Sequence, residues 1–120
     1  MRLVPGLVAG TLRASLTSTS DGPAVRLVLP VRNDGPGDAW ALRGRIASPA
    51  RSIDGRVIYL GHVARGAQTT AELLIPLSPA AADELRGSTL EVAIELRDAH
   101  GTAPTTPVHF RGVVMGDAPR

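Results

Sequence analysis

Apolar side chains recur at every second position along three stretches of the chain. The alternation is clearest over residues 90–97 and recurs over residues 25–32 and 70–77. A period of two places successive side chains on opposite faces of a strand, so one face is predicted to be buried and the other exposed to water. Such strands are typical of antiparallel sheets. Weaker alternation predicts four more strands, at residues 11–18, 39–47, 56–60 and 106–114.

Turn-forming residues separate these stretches at intervals typical of a two-sheet sandwich, as in the Gly-, Pro- and Asp-rich segment 33–38. One segment predicts a helix, because Ser78 suits an N-cap, Pro79 a first helical position and Gly87 a C-terminal stop. Residues 79–86 are therefore expected to form a short helix or helical turn. Parallel strands would need much longer crossovers. We predict an all-β fold, an antiparallel β-sandwich of about seven strands, with a small closed barrel as the alternative.

The length of 120 residues suits a single domain. We assign residues 11–114 to one β-sandwich domain. Residues 1–10 are predicted to be an N-terminal lead-in or edge strand, and residues 115–120 a flexible tail. The same pattern places Trp40 and Phe110 in the core.

Two prolines lie within predicted strands, at Pro30 and Pro76. Proline has no backbone N–H to donate to a neighbouring strand. Each is therefore expected at a sheet edge or a bulge, with its side chain on the outward face.

Composition excludes several classes of protein. No apolar run approaches the ~18 residues of a membrane span, so no membrane insertion is predicted. The chain has no cysteine, which excludes disulfides, thiolate metal sites and a cysteine nucleophile. All 13 basic residues are arginines, they are scattered, and the formal net charge is +2. The chain also has only three aromatic residues on which bases could stack, so no nucleic-acid partner is predicted.

No motif with a catalytic or ligating mechanism is found. The segment 33–38 has oxygen donors but lacks the spacing of an EF-hand calcium loop, and Gly35 and Gly37 do not continue as a phosphate-binding loop. We predict no catalytic residue, no metal site and no cofactor, and hence no enzyme. An enzyme is the remaining alternative, and it would need a deep pocket that joins His62 or His100 to a serine and a carboxylate.

Several turn motifs are similar to those of a known family. Residues Val31–Ala39 match the pattern V-x-N-x-G-x-G-x-A, and Leu60–Gly66 is similar to L-G-x-L-x-x-G. Segments 75–77 and 96–101 follow in the expected order, so the similarity covers about residues 24–111. In these motifs the chain resembles bacterial immunoglobulin-like modules, including CARDB-type domains. The resemblance implies an immunoglobulin-like sandwich and a non-catalytic role as a spacer, an adhesive unit or an attached domain.

In an immunoglobulin-like sandwich, the B–C, D–E and F–G turns lie at the same end. We predict that the polar residues of these turns form a candidate partner-binding tip, which contacts a protein partner or a neighbouring domain. The alternative is that they are ordinary solvated turn residues. The residues concerned are Asn33, Asp34, Asp38, His62, Arg65, Asp98 and His100.

The function that we predict is a non-catalytic accessory or protein-interaction module, an appendage of a larger bacterial protein or assembly. The alternative is a small-molecule or carbohydrate-binding domain, which joint exposure of Trp40 and Tyr59 would favour. The last strand, with Val113–Met115, is expected to be an edge through which two copies form a homodimer. We expect a cytoplasmic location if the chain is complete, and an extracytoplasmic one if it is an excised domain.

Overall fold

The computed structural model describes residues 3–101 and 108–114, which form eight β-strands and one short helix. The strands are β1 (Leu7–Ala9), β2 (Arg13–Thr19), β3 (Gly22–Asn33), β4 (Ala39–Ala47), β5 (Val57–Val63), β6 (Gln68–Pro76), β7 (Thr89–Arg97) and β8 (Val108–Val113). The helix α1 spans Pro79–Leu85. The prediction of an all-β fold is confirmed. The predicted tail, residues 115–120, lies outside the described residues.

The strands form two antiparallel sheets. In the first sheet β3 is central and pairs with β6 along one edge. Along its other edge β3 pairs with β2 in its first half and with β1 at its end. The second sheet has the order β5-β4-β7-β8. The structure has one strand more than the predicted seven, because the segment before residue 10 pairs with β3 as a short edge strand.

The core lies between the two sheets and is filled by alternate side chains of both. Leu27 and Leu29 come from β3, and Ile46 and Ile94 come from β4 and β7; all four are fully or almost fully buried. Burial of one such side chain contributes about 1.5–3 kcal/mol. Among the described residues, no backbone pairing joins the two sheets, so the structure is a sandwich and not the alternative closed barrel.

The short helix forms where its capping residues predict it. The Ser78 Oγ accepts a hydrogen bond from the Ala81 N–H at 3.1 Å, and Pro79 begins the helix. Gly87, with a φ of 74°, follows its C-terminus. The helix ends at Leu85, one residue before the predicted end.

Some sequence-based placements need correction. Trp40 is half exposed and not in the core, because a bulge in β4 turns it outward. Phe110 is only partly buried and packs against the margin of the core. Strand β5 extends to Val63, beyond the predicted residue 60. Gly61, with a φ of 76°, lies inside the strand and does not end it.

The two prolines differ in their environment. Pro76 is the last residue of β6, which pairs only with β3 among the described residues, so it lies on an edge strand as predicted. The prediction for Pro30 is wrong, because Pro30 lies in the central strand β3 without a bulge, opposite the break between β1 and β2. Its carbonyl accepts the Gly10 N–H at 2.8 Å. Because β2 begins only at Arg13, the missing N–H of Pro30 interrupts no strand pairing.

Candidate functional site

Loops from both sheets meet at one end of the sandwich. The β3–β4 and β5–β6 loops are joined by two backbone hydrogen bonds, from Asn33 N–H to the Ala67 carbonyl at 2.9 Å and from Gly66 N–H to the Asn33 carbonyl at 2.7 Å. The segment after β7 joins them through the Ala99 N–H, which donates to the Trp40 carbonyl at 2.7 Å. The predicted convergence of the three turns is therefore observed. We call residues 3–6, 33–40, 62–67 and 98–101 the tip.

Asn33 is the buried centre of the tip, with no exposed surface. Its side-chain Oδ1 accepts the N–H groups of Gly6 at 3.0 Å and Gly35 at 3.1 Å. Its Nδ2 donates to the carbonyls of Gly37 at 2.8 Å and Val63 at 3.0 Å. One amide thus connects the N-terminal segment, the β3–β4 loop and the end of β5. Asn33 stabilises the tip, and its burial excludes the predicted direct contact with a partner.

The N-terminal segment packs directly on the β3–β4 loop. The Asp34 N–H donates to the Gly6 carbonyl at 2.8 Å, and the Gly37 N–H donates to the Val4 carbonyl at 3.3 Å. A Cβ added to Gly35 would overlap the Gly6 backbone, and one added to Gly37 would overlap the backbone of Leu3. Only glycine fits this approach. The packing brings Leu3 to the tip, where 56% of its surface is exposed.

A bulge presents Trp40 at the surface. Ala39 pairs with Val63 and Leu42 pairs with Gly61, so two residues of β4 lie opposite one residue of β5. Trp40 and Ala41 therefore both face outward, and 50% of Trp40 is exposed. Ala41 has a φ of 51°, a left-handed conformation that costs a non-glycine residue about 1–2 kcal/mol. Backbone strain of this kind is often found at functional sites.

The outward-facing Trp40 is fixed by a chain of side-chain contacts. Its ring stacks on that of His62, with centroids 3.9 Å apart and an interplanar angle of 3°. The His62 Nε2 lies 2.9 Å from the Asp38 Oδ2, and the Asp38 Oδ1 accepts the backbone N–H of Arg65 at 2.9 Å.

The same contacts set the charge of Asp38. The Arg65 N–H and then the His62 ring hold the pKa of the Asp38 carboxyl below its usual range. Asp38 is therefore ionised at neutral pH and can only accept hydrogen bonds. The proton between the two side chains belongs to the His62 Nε2, which donates to the carboxylate.

A shallow cleft of about 350 Å³ opens beside Trp40. The N-terminal segment and the β3–β4 loop supply its apolar residues, and the other loops supply Arg65 and His100. The cleft is thus lined by both apolar and ionisable side chains. It is lined by Leu3, Pro5, Pro36, Gly37, Asp38, Trp40, Arg65 and His100.

The remaining predicted tip residues divide into surface and interior. Asp34 is half exposed and pairs with Arg32 at 2.7 Å, which lowers the pKa of the Asp34 carboxyl and raises that of the Arg32 guanidinium. Asp98 is only 2% exposed, and its Oδ1 accepts the backbone N–H of His100 at 3.0 Å. Burial thus excludes the predicted contact of Asp98 with a partner. Asp34, Asp38, His62, Arg65 and His100 remain at the surface of the tip.

Trp40 is the residue of the site that the sequence prediction misplaced. The alternation over residues 39–47 puts Trp40 on the same face as Leu42, and no Gly or Asn marks the bulge at Ala41. The local sequence therefore contained no feature that could have predicted the outward orientation of Trp40. Leu3 was likewise not predicted as a tip residue, because its place depends on the distant contact between Gly6 and Asn33.

A second exposed aromatic residue lies on the same sheet. Tyr59 of β5 is 74% exposed and lies opposite Arg43 of β4. The joint exposure of Trp40 and Tyr59, which would favour a carbohydrate-binding domain, is therefore observed.

Among the described residues, β8 is an edge of the second sheet, as predicted. Val113 in this strand is half exposed, whereas Val114, which follows it, is buried. Met115, which completes the apolar stretch in the prediction, lies outside the described residues. The homodimer through β8 remains a prediction.

Neither the comparisons with known proteins nor a group of metal-ligating side chains identifies a function for the tip. Comparisons of the chain with protein-family models, with curated proteins and with solved structures found no match. Within residues 3–101 and 108–114, no three His, Cys, Asp or Glu side chains group closely enough to hold a metal ion. No helix in the same part of the chain is long and apolar enough to cross a membrane.

Proposed function

We propose that this protein is a non-catalytic β-sandwich module that contacts a protein partner or a neighbouring domain through its tip. The observation that carries the proposal is the exposed Trp40, fixed beside a cleft by His62 and Asp38. Protein interfaces typically have an apolar centre and a polar rim, and tryptophan and arginine contribute most to their binding energy. Leu3 and Trp40 form such a centre, and Asp38 and Arg65 lie at its rim.

The internal contacts of the tip support the same proposal. Asn33 uses both side-chain donors and both acceptor positions to hold three segments together. The close packing of Gly35 and Gly37 on the N-terminal segment restricts the β3–β4 loop further. A surface ordered before binding loses less conformational entropy when a partner binds. The tip is therefore suited to recognition of one particular surface.

The resemblance to immunoglobulin-like modules belongs to this proposal. We propose that the chain is a bacterial module of the CARDB type and serves as an appendage of a larger protein or assembly. The motif residues support this, because Asn33 is the buried centre of the tip and the two glycines permit the close approach of the N-terminal segment. The shared end of the three turns is also typical of such sandwiches.

Selection from a random-peptide phage library tests the interaction proposal. The wild-type protein is the bait, and the binding of each enriched peptide is then measured with wild type and with the Trp40→Ala variant. We expect enriched peptides to bind wild type and to bind Trp40→Ala at least about tenfold more weakly, the loss typical of a central aromatic residue.

The matched control is Tyr59→Ala, which removes another exposed aromatic residue of the same sheet and is expected to bind these peptides like wild type. Thermal melting of all three proteins establishes that they are folded. Enriched peptides that bind Trp40→Ala as tightly as wild type would contradict the tip as the contact surface, and so would a selection that enriches no tip-dependent peptide.

A carbohydrate-binding domain is the second candidate function, and the exposure of Trp40 and Tyr59 on one sheet favours it. The flat ring of Trp40 at a shallow cleft offers an apolar surface to a sugar ring, and Tyr59 is exposed farther along the same sheet. A glycan array tests this candidate with wild type, Trp40→Ala and Tyr59→Ala. If the candidate is right, some glycan is retained by wild type and lost by both variants. If wild type retains no glycan on the array, this candidate function is contradicted.

A further inference from the structure

The lining of the tip cleft combines two kinds of chemistry. Leu3, Pro5, Pro36 and the indole of Trp40 supply aliphatic and aromatic surface. Asp38, Arg65 and His100 supply ionisable groups. A volume of about 350 Å³ is near the lower limit of small-ligand sites, so the cleft has room for a few side chains.

The charged groups around the cleft differ in how many hydrogen-bond and ion-pair partners they already have. Each Asp38 oxygen already accepts a hydrogen bond, and the nearby Asp34 is paired with Arg32. The backbone N–H of Arg65 is fixed by Asp38, and the Arg65 charge also interacts with the Asp38 carboxylate over a longer distance. The Arg65 guanidinium forms no direct ion pair or hydrogen bond with any residue in 3–101 or 108–114, so its N–H donors are available. A guanidinium presents five N–H donors in a planar arrangement that matches a carboxylate.

From these two observations, we infer that the cleft binds a peptide segment of the partner in which an apolar side chain lies next to a carboxylate. The apolar side chain packs against Leu3 and Trp40, and the carboxylate accepts hydrogen bonds from the Arg65 guanidinium. Leu3, Pro5 and Pro36 offer an aliphatic surface that suits an apolar peptide side chain better than the hydroxyl groups of a sugar. The inference rests on the proposed function, because it names the chemistry that the tip recognises.

The only tryptophan of the chain provides a direct readout, because Trp40 lines the cleft. The probes are two synthetic peptides, acetyl-Ala-Leu-Glu-Leu-Ala-amide and its counterpart with Gln in place of Glu. Binding is followed by tryptophan fluorescence and by the NMR signal of the indole N–H. We expect saturable changes with both probes and a dissociation constant about threefold lower for the Glu peptide, the scale of one solvent-exposed ion pair.

Two arginine variants assign the charge contact. Arg65→Gln is expected to remove the preference for the Glu peptide. Arg13→Gln makes the same change of net charge on an exposed residue of β2 in the other sheet, and it should keep the preference. Thermal melting confirms that both variants are folded. A preference for Glu that persists in Arg65→Gln would overturn the inference.

Failure of the inference is distinguishable from failure of the proposed function. Equal binding of the Glu and Gln peptides overturns the carboxylate contact but leaves peptide binding at the tip intact. No change at the Trp40 indole with either peptide also overturns the inference, while the library selection decides independently whether the tip binds peptides. Sodium galacturonate is the third probe. A lower dissociation constant for galacturonate than for the Glu peptide overturns the peptide assignment in favour of an acidic sugar.

Discussion

The indole of Trp40 lies parallel to the imidazole of His62, with ring centroids 3.9 Å apart and 3° between the planes. This contact crosses the bulge where two residues of β4 lie opposite one residue of β5. Because His62 also donates to the Asp38 carboxylate, a contact network fixes the exposed tryptophan. The orientation of Trp40 therefore depends on a neighbouring strand and not on its own rotamer preference alone.

Replacement of His62 by alanine is expected to release Trp40 without unfolding the protein. Both rings are substantially exposed, so the free energy of unfolding should fall by less than about 1 kcal/mol. The fluorescence emission of Trp40 should shift to longer wavelength, and its anisotropy should decay faster. His109→Ala, an exposed histidine of β8, is the matched control and should leave the spectrum unchanged. An unaltered Trp40 spectrum in His62→Ala would count against the stacked arrangement.

Asn33→Ala is expected to lower the free energy of unfolding by about 3–5 kcal/mol, measured by urea denaturation. The substitution leaves two N–H groups and two carbonyls of the tip without their partner, and Asn33 is fully buried. Asp34→Ala is the control, since it removes only an exposed ion pair with Arg32 and should leave the free energy of unfolding close to that of wild type. A similar small loss in both variants would refute the central role of Asn33.

Local patterns were sufficient to predict most of the fold. In a strand with one buried face, every second residue is apolar. The alternation over residues 90–97 therefore predicted the bounds of β7 to within one residue. The helix was equally predictable, because Ser78 and Pro79 act within its own first turn. The Gly- and Asp-rich segment 33–38 likewise predicted the loop between β3 and β4.

The tip was predicted less completely, because its details depend on contacts between distant residues. Sequence order could place Asn33 and Asp38 in one loop, but it could not show that Asn33 is buried beneath Gly6, which lies 27 positions away. Trp40 was misplaced because the bulge depends on the register between β4 and β5. A shift of one residue in a strand transfers a side chain to the opposite face.

Gly35→Ala is expected to detach the N-terminal segment from the β3–β4 loop. The added Cβ would overlap the backbone of Gly6, which is not a flexible side chain and cannot simply rotate away. We expect faster hydrogen exchange of the Gly6 amide and a fall in unfolding free energy of about 1–3 kcal/mol, the usual range for forced overpacking.

Gly112→Ala is the control for this substitution. A Cβ there would come no closer than 3.3 Å to the ring of Phe110, a side chain that can adjust. Hydrogen exchange of the Gly6 amide should remain at the wild-type rate in this variant. If Gly35→Ala also leaves that rate unchanged, the close approach of the two backbones is contradicted.

The contacts of Asp38 predict a pH-dependent contribution to stability. Because the Arg65 N–H and the His62 ring lower the pKa of Asp38 in the folded state, the contribution is fully present above the usual aspartate pKa. It is lost as the pH falls through the lower pKa of the folded state. Asp38→Asn keeps an oxygen that can accept the Arg65 N–H but removes the charge. Its melting temperature should therefore lie below that of wild type near neutral pH.

The difference in melting temperature between wild type and Asp38→Asn should shrink as the pH falls from about 7 to about 2, because wild-type Asp38 then becomes protonated as well. The direct measurement is an NMR titration of the Asp38 carboxyl carbon, which should have its midpoint below the usual aspartate pKa of ~3.9. Asp21→Asn, at an exposed turn position between β2 and β3, is the matched control. A difference for Asp38→Asn that stays constant over this pH range would show that the lost charge does not contribute to stability through these two contacts.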